Sequence, residues 1–314
     1  MAPVNRPPIP YRSSGVLLHP TSLPGPFGVG DLGPAAHAWI DALAGAGQRW
    51  WQVLPLGPTG YGDSPYQCLS AFGGSPLLVS PERLVEDGLL AAGELPAPLP
   101  EGMVVHGPAE RLKAALRRRA LERFRATAGP RARAELDAFR EAEAGWLEDF
   151  ALFMALKEAH GGKAWTAWEP GLASRQPAAL RAASRSLAPA VEQHRFDQFL
   201  FHRQWCALRA HAHAAGVGLI GDAPIFLAHD SADLWAHREL FLLDGRGAPT
   251  VVAGVPPDYF SATGQRWGNP LYDWEALAAT GFAWWVERLR SAMSLVDLLR
   301  LDHFIGFHNH WEIP

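Results

Sequence analysis

Gly218-Leu219-Ile220-Gly221-Asp222-Ala223-Pro224-Ile225-Phe226 is an apolar run broken by one carboxylate. Apolar residues recur at helical spacing through Phe196 to Ala215 just before it, and Gly216 stands where a helix C-terminus favours glycine. A helix, a tight turn and a buried strand over Val217 to Phe226 follow from that order. The same unit recurs twice. Pro34 to Ala46 leads into Trp50 to Leu56, and Phe282 to Ala292 leads into Leu295 to Leu301. With an opening strand at Gly15 to His19, four strands alternate with helices, the pattern of a parallel α/β sheet with right-handed crossovers. Near-continuous apolar strands are expected when both faces of such a sheet are covered.

The spacing between units is uneven. About 140 residues separate the second strand from the third, too many for a simple connection. Their middle, Pro108 to His160, is rich in Ala, Arg, Glu and Leu at helical spacing, so a helical insertion is expected, with Pro96, Pro98 and Pro100 marking the way in. The organisation read from this is residues 1–80 for the first two units, 81–195 for a mainly helical inserted subdomain, and 196–314 for the third and fourth strands. A second insertion, Asp230 to Asp273, is dense in Gly, Pro, Trp and Asp without periodicity, and long loops of that kind after a strand often carry function. His19, Asp222 and Asp302 close three of the four strands. Polar C-terminal strand ends suit an open doubly wound sheet and an eight-stranded barrel alike.

Bulk properties narrow the classes. Hydrophobic residues make up 48% and charged residues 19% of the 314, enough apolar material for a substantial core. A net charge of −4 argues against a nucleic-acid partner. Met1 to Tyr11 is proline-rich and no signal peptide, and no run is long and apolar enough for a membrane span. Cys68 and Cys206 make neither a disulfide framework nor a zinc site, which fits the cytoplasm. The 13 tryptophans serve stacking on sugars or core filling equally well.

The residues suited to chemistry sit at strand ends and in two loops. In Leu298-Leu299-Arg300-Leu301-Asp302-His303-Phe304, Arg300 and Asp302 are two apart and share a strand face. A guanidinium keeps a neighbouring carboxylate ionised, as a nucleophile requires, though a purely structural ion pair has the same spacing. Asp222 inside its apolar run needs a polar partner, and Arg300 is the natural one. Gly60-Tyr61-Gly62-Asp63-Ser64-Pro65-Tyr66-Gln67 and the stretch from Pro256 through Asp258, Tyr259 and Phe260 to Trp267, Asn269 and Pro270 combine aromatic faces with hydrogen-bonding groups, which is what a sugar site needs. Weaker matches fall away. Gly28-Val29-Gly30-Asp31-Leu32-Gly33 fits a dinucleotide fingerprint but is separated from its strand, and no acidic residue closes the next one. The pairs His211/His213 and His308/His310 lack further ligands at metal spacing, so no metal or other cofactor is expected. Arg111 to Arg133 is interspersed with Glu and reads as a solvated helix face.

Taken in order, Leu17 to Gly25, Gly28 to Gly33, Gln52 to Leu56, Gly62 to Tyr66, Gly221 to Phe226, Pro256 to Pro270 and Arg300 to Phe304 resemble the amylomaltase (disproportionating enzyme) family of 4-α-glucanotransferases, relatives of the α-amylases. The resemblance implies the first four strands of a partial (β/α)8 TIM-type barrel, with the helical insertion between strands two and three. It implies transfer of α-1,4-glucan segments between maltooligosaccharides by a retaining double displacement. Asp302 would be the nucleophile and Arg300 its orienting partner. Tyr66, Ser64, Gly62, Asp222, His303, Trp267, Asn269 and Asp258 would contact the glucan. Ile305 and His310 depart from the arginine and aromatic residue that many members carry there. The family's general acid/base glutamate comes later in the chain and Glu312 does not match it, so the chain is expected to stop before strands five to eight and to be inactive alone. An inactive α-glucan-binding module and an α-glucan hydrolase are the competing readings.

Overall fold

The computed structural model describes residues 12–99, 102–259 and 261–314. Met1 to Tyr11, Pro100 of the linker, Phe260 of the second aromatic loop and the side chain of Tyr61 lie outside that description. The chain runs β1 (Gly15–Leu17), α1 (Pro34–Gly45), β2 (Trp50–Gln52), α2 (Pro81–Glu86), α3 (His106–Thr127), α4 (Pro130–Ala142), α5 (Ala144–Ala159), α6 (Pro170–Ala173), α7 (Pro177–Ser186), α8 (Ala188–Ala214) and β3 (Gly218–Ala223). It continues through α9 (Ala232–Ala236), β4 (Val252–Val255), β5 (Gln265–Pro270), α10 (Trp274–Ala279), α11 (Ala283–Leu295), β6 (Leu298–Leu301) and β7 (Trp311–Ile313).

β1, β2, β3 and β6 form a parallel sheet in that order, so the four strands neighbour one another in chain sequence. Each is shorter than its apolar run. Prolines explain three of the endings: Pro20, Pro55 and Pro224 follow β1, β2 and β3 within a few residues and have no N–H to extend a ladder. Trp50 pairs with Gly15 on one side and Gly218 on the other. A Cβ at Gly15 would lie 2.4 Å from the Trp50 carbonyl oxygen and one at Gly218 2.3 Å from the Trp50 ring, so one glycine admits the strand backbone and the other the indole.

Helices α3 to α8 lie between β2 and β3. The buried face of α3, Ala109, Lys113, Leu116, Arg117, Ala120, Leu121 and Phe124, repeats every three to four residues; Lys113 and Arg117 lie on it rather than on the solvated face expected for this stretch, and the other faces carry the remaining charges. Leu116, Leu121 and Phe124 join Trp51, Val53 and Leu219 of the sheet region, Ile40 of α1 and Trp205 of α8 in one continuous core. Eight of the 13 tryptophans (Trp50, Trp51, Trp165, Trp168, Trp205, Trp235, Trp284 and Trp285) are buried, so core filling accounts for most of them. The glycine-rich Gly28 to Gly33 is also architectural. Asp31 accepts from the fully buried Lys113 at 2.6 Å and from Gly33 N–H at 2.9 Å. Gly30 packs so tightly on the turn after β1 that a Cβ would sit 2.1 Å from the Pro20 carbonyl.

The stretch expected to lack periodicity contains regular structure after all. β4 pairs antiparallel with β5 and with β7 in a second sheet of order β5-β4-β7. The strands are short, with a register shift between Val252 and Gly254, and glycines and prolines inside them erase the alternation that marks a strand. Among the described residues no helix is long and apolar enough to cross a membrane.

Candidate active site

Parallel pairing of β3 with β6 sets Asp222 opposite Arg300 and Ala223 opposite Leu301. Asp302, one residue past β6, donates its N–H to the Ala223 carbonyl at 3.0 Å, so the two strand ends are laced together where the side chains converge. Arg300 Nη1 lies 2.8 Å from both oxygens of Asp222, and its Nη2 donates to Asp302 Oδ1. Tyr66, from the loop after β2, donates its hydroxyl to Asp222 Oδ2 at 2.7 Å. Asp222, a carboxylate in an apolar strand, is thereby satisfied although its side chain is fully buried, whereas that of Asp302 is 34% exposed. Burial first, then the hydrogen bond to Asp222, push the Tyr66 phenol up to about 12, so it stays a donor. Arg300 is raised further: burial opposes its charge, but Asp222 and then Asp302 outweigh it.

Beside this cluster lies a cleft of about 280 Å³. Tyr66, Asp302, His303, Trp267 and Asn269 line it, and so do Gln67 and Phe226, to which the sequence attached no role. Both lie in motifs already prominent, but neither an amide nor a phenylalanine reveals from spacing that it faces a cleft. His303 adopts a left-handed backbone (φ 47°), which turns the chain sharply after Asp302. Its ring meets Trp267 edge-on with centroids 4.8 Å apart. Burial lowers its pKa, with Asp302 acting in the opposite sense. Trp267 Nε1 donates to Gln265 Oε1 at 3.0 Å, and Asn269 Nδ2 donates to the Leu227 carbonyl at 2.8 Å.

The remaining residues singled out in the sequence sit elsewhere. Ser64 accepts from Tyr66 N–H through Oγ at 3.3 Å, and Gly62 supplies a left-handed turn (φ 67°), so both shape the loop that delivers Tyr66 and neither lines the cleft. Asp258 organises the β4–β5 turn, its carboxylate accepting from Ser261 N–H at 2.8 Å, and does not line the cleft either. His211 and His213 face Asp41 and Asp297, and His310 faces Glu312. Ile305 is exposed. Both cysteines are free.

Sheet, carboxylates, guanidinium and aromatic walls together define an α/β protein whose site lies at the C-terminal ends of parallel strands. Comparison with known proteins narrows this. Residues 18–314 match the 4-alpha-glucanotransferase family, and the chain belongs to it. It is 55% identical over 303 residues to the 4-alpha-glucanotransferase of Thermus thermophilus, covering 96% of this chain and 60% of that protein. It is 48% identical to that of Synechocystis sp., covering 96% and 61%. The solved amylomaltase from Streptococcus agalactiae in complex with acarbose superposes with a TM-score of 0.91 at 38% identity, over 96% of this chain and 61% of that one. The chain thus spans about 60% of the length of these relatives.

Proposed function

We propose that this chain carries the nucleophile half of a 4-α-glucanotransferase site, acting on α-1,4-glucans and maltooligosaccharides in the cytoplasm. The observation that carries the reading is Arg300 bridging Asp222 and Asp302 at the rim of an aromatic cleft. In this reading the four-stranded sheet is the first part of a (β/α)8 barrel, with residues 81–195 as its inserted subdomain. Asp302 attacks the anomeric carbon, the glycosidic bond breaks, and a glucosyl ester forms with inversion. An acceptor hydroxyl then displaces the carboxylate with a second inversion. Arg300 steers the attacking oxygen, while Asp222, itself locked by Tyr66, holds the guanidinium in place. His303 and Trp267 wall off water, favouring transfer over hydrolysis, and Asn269 offers its amide oxygen to a sugar hydroxyl. Asp258, Ser64 and Gly62 act through the loops they shape.

A retaining mechanism also needs a carboxyl about 5–5.5 Å from the nucleophile, to protonate the departing oxygen and then to take the proton of the acceptor hydroxyl. Among the described residues Asp302 is the one carboxylate lining this cleft. The experiment therefore uses a substrate whose leaving group needs no proton. Maltotriosyl fluoride expels fluoride directly, so Asp302 should become an ester and the intact mass should rise by one maltotriosyl unit. Maltotriose itself should give neither glucose nor longer maltodextrins with the 314-residue chain. Acarbose binding without any ester would favour a binding module, and an ester on another residue would end the assignment of Asp302.

A further inference from the structure

The loop leaving β3, Pro224 to Ala228, forms one wall of the cleft through Pro224, Ile225 and Phe226. Among the described residues it has no strand partner, yet three of its carbonyls are gripped from behind by buried side chains. Arg288 of α11 donates to the carbonyls of Pro224 and Ile225. Tyr272 donates its hydroxyl to the Ile225 carbonyl at 2.8 Å, and Asn269 holds that of Leu227. Arg288 Nη1 also reaches Tyr272 Oη at 3.2 Å. Arg288 is 3% exposed, and its hydrogen bonds go to carbonyls and a phenol rather than to a carboxylate. Its guanidinium carbon lies 4.7 Å from the Trp285 ring centroid and 5.6 Å from that of Trp284.

Burying a cation this way is costly unless its donors and its flat faces are all used. A guanidinium goes far towards both conditions here, because its planar fork makes three hydrogen bonds, to two successive carbonyls and a phenol, while indoles cover it. An ammonium has no such fork or faces. Phe226 is the residue placed by the grip: its ring lies 6.3 Å from Trp267 and 6.3 Å from His303, the two rings beside Asp302.

We propose that Arg288, which does not line the cleft, is a positioning residue that fixes the Pro224–Leu227 backbone and through it the aromatic wall opposite Asp302. The role in glucan binding rests on the function proposed above; the grip on the loop does not. Hydrogen exchange and acarbose titration of the 314-residue chain test the two parts separately, using wild type, Arg288→Met, Arg288→Lys and Tyr272→Phe. In Arg288→Met, amides 225–228 should exchange at least about tenfold faster while peptides of α8 keep their rates, and acarbose affinity should fall at least about tenfold. Arg288→Lys should recover part of both, and Tyr272→Phe should show a smaller change in the same direction. Unchanged loop exchange in Arg288→Met overturns the proposal, as does equal acceleration in α8. A loosened loop with wild-type acarbose affinity also overturns it. A loosened loop in a protein whose wild type does not bind acarbose leaves the grip standing and sinks the glucan reading instead.

Discussion

Asp297 stands immediately before β6 and Asp302 immediately after it, and each has an arginine within reach. Asp297 accepts from Leu219 N–H at 2.9 Å, from His213 Nε2 at 2.9 Å and from Arg209 Nη2 at 3.1 Å, and its side chain is 3% exposed. Burial works to raise its pKa, but these three donors together hold it below the usual carboxylate range. Asp302 has Arg300, an open face and a cleft in front of it. An aspartate beside an arginine is therefore not in itself a catalytic signal. The difference is saturation: a carboxylate with its acceptor sites filled can only hold structure, and one with an oxygen still facing a cleft can react.

The sharpest way to break this contrast is chemical. Asp302→Asn should slow ester formation from maltotriosyl fluoride by roughly 10³-fold or more, with a melting temperature close to wild type. A large loss of stability would mean that Asp302 is structural like its counterpart. The converse holds for Asp297→Ala, which strands Arg209 and His213 and leaves the Leu219 N–H buried without an acceptor. It should cost about 2–4 kcal/mol in urea unfolding. Because the folded pKa of Asp297 is depressed, this contribution is present above about pH 3.9, the unfolded value, and is lost as pH falls through the folded one. A mutant as stable as wild type at pH 7 would remove the distinction between the two ends.

A third strand end sharpens the comparison through pH. Burial holds His19, which follows β1, down at about 4, so it is neutral when folded. Its contribution is complete above about pH 6.5 and disappears as pH falls towards 4, so wild type should lose about 1–2 kcal/mol between pH 7 and pH 5 that His19→Gln does not lose. Parallel pH dependences in urea titrations would contradict the burial argument. The smallest expected effect is that of Tyr66→Phe, about 1 kcal/mol, from the lost hydrogen bond to Asp222. In wild type the raised phenol pKa implies stability held below about pH 10 and lost as pH climbs towards 12. Burial pushes the Tyr272 phenol up as well, so the check is that the mutant shows one late-titrating tyrosine fewer by ultraviolet absorbance.

Much of this was legible in the residues. Helical spacing located α1, α8 and α11 within a few residues, except that α8 begins earlier, at Ala188, because the preceding insertion is helical too. The four parallel strands announced themselves as apolar runs, although their lengths were overstated where prolines end the ladder. The antiparallel sheet stayed hidden, since its strands contain Gly254, Gly268 and Pro270 and one of its ladders shifts register. Arg300 and Asp302 were visible from period-two spacing, and the need of Asp222 for a partner from burial cost alone. Asp297 was invisible, because its partners Arg209 and His213 lie more than 80 residues away.

Local order set the parallel sheet, the insertion between β2 and β3, and the family, because periodicity, turn formers and ordered motifs act over a few residues at a time. Which tryptophans fill the core, which aspartate is sealed and which faces a cleft, and how Arg288 reaches a loop some 60 residues earlier in the chain were decided by packing. Those outcomes depend on which distant donors arrive at a group and whether water still reaches it, and neither is written in the neighbourhood of any one residue.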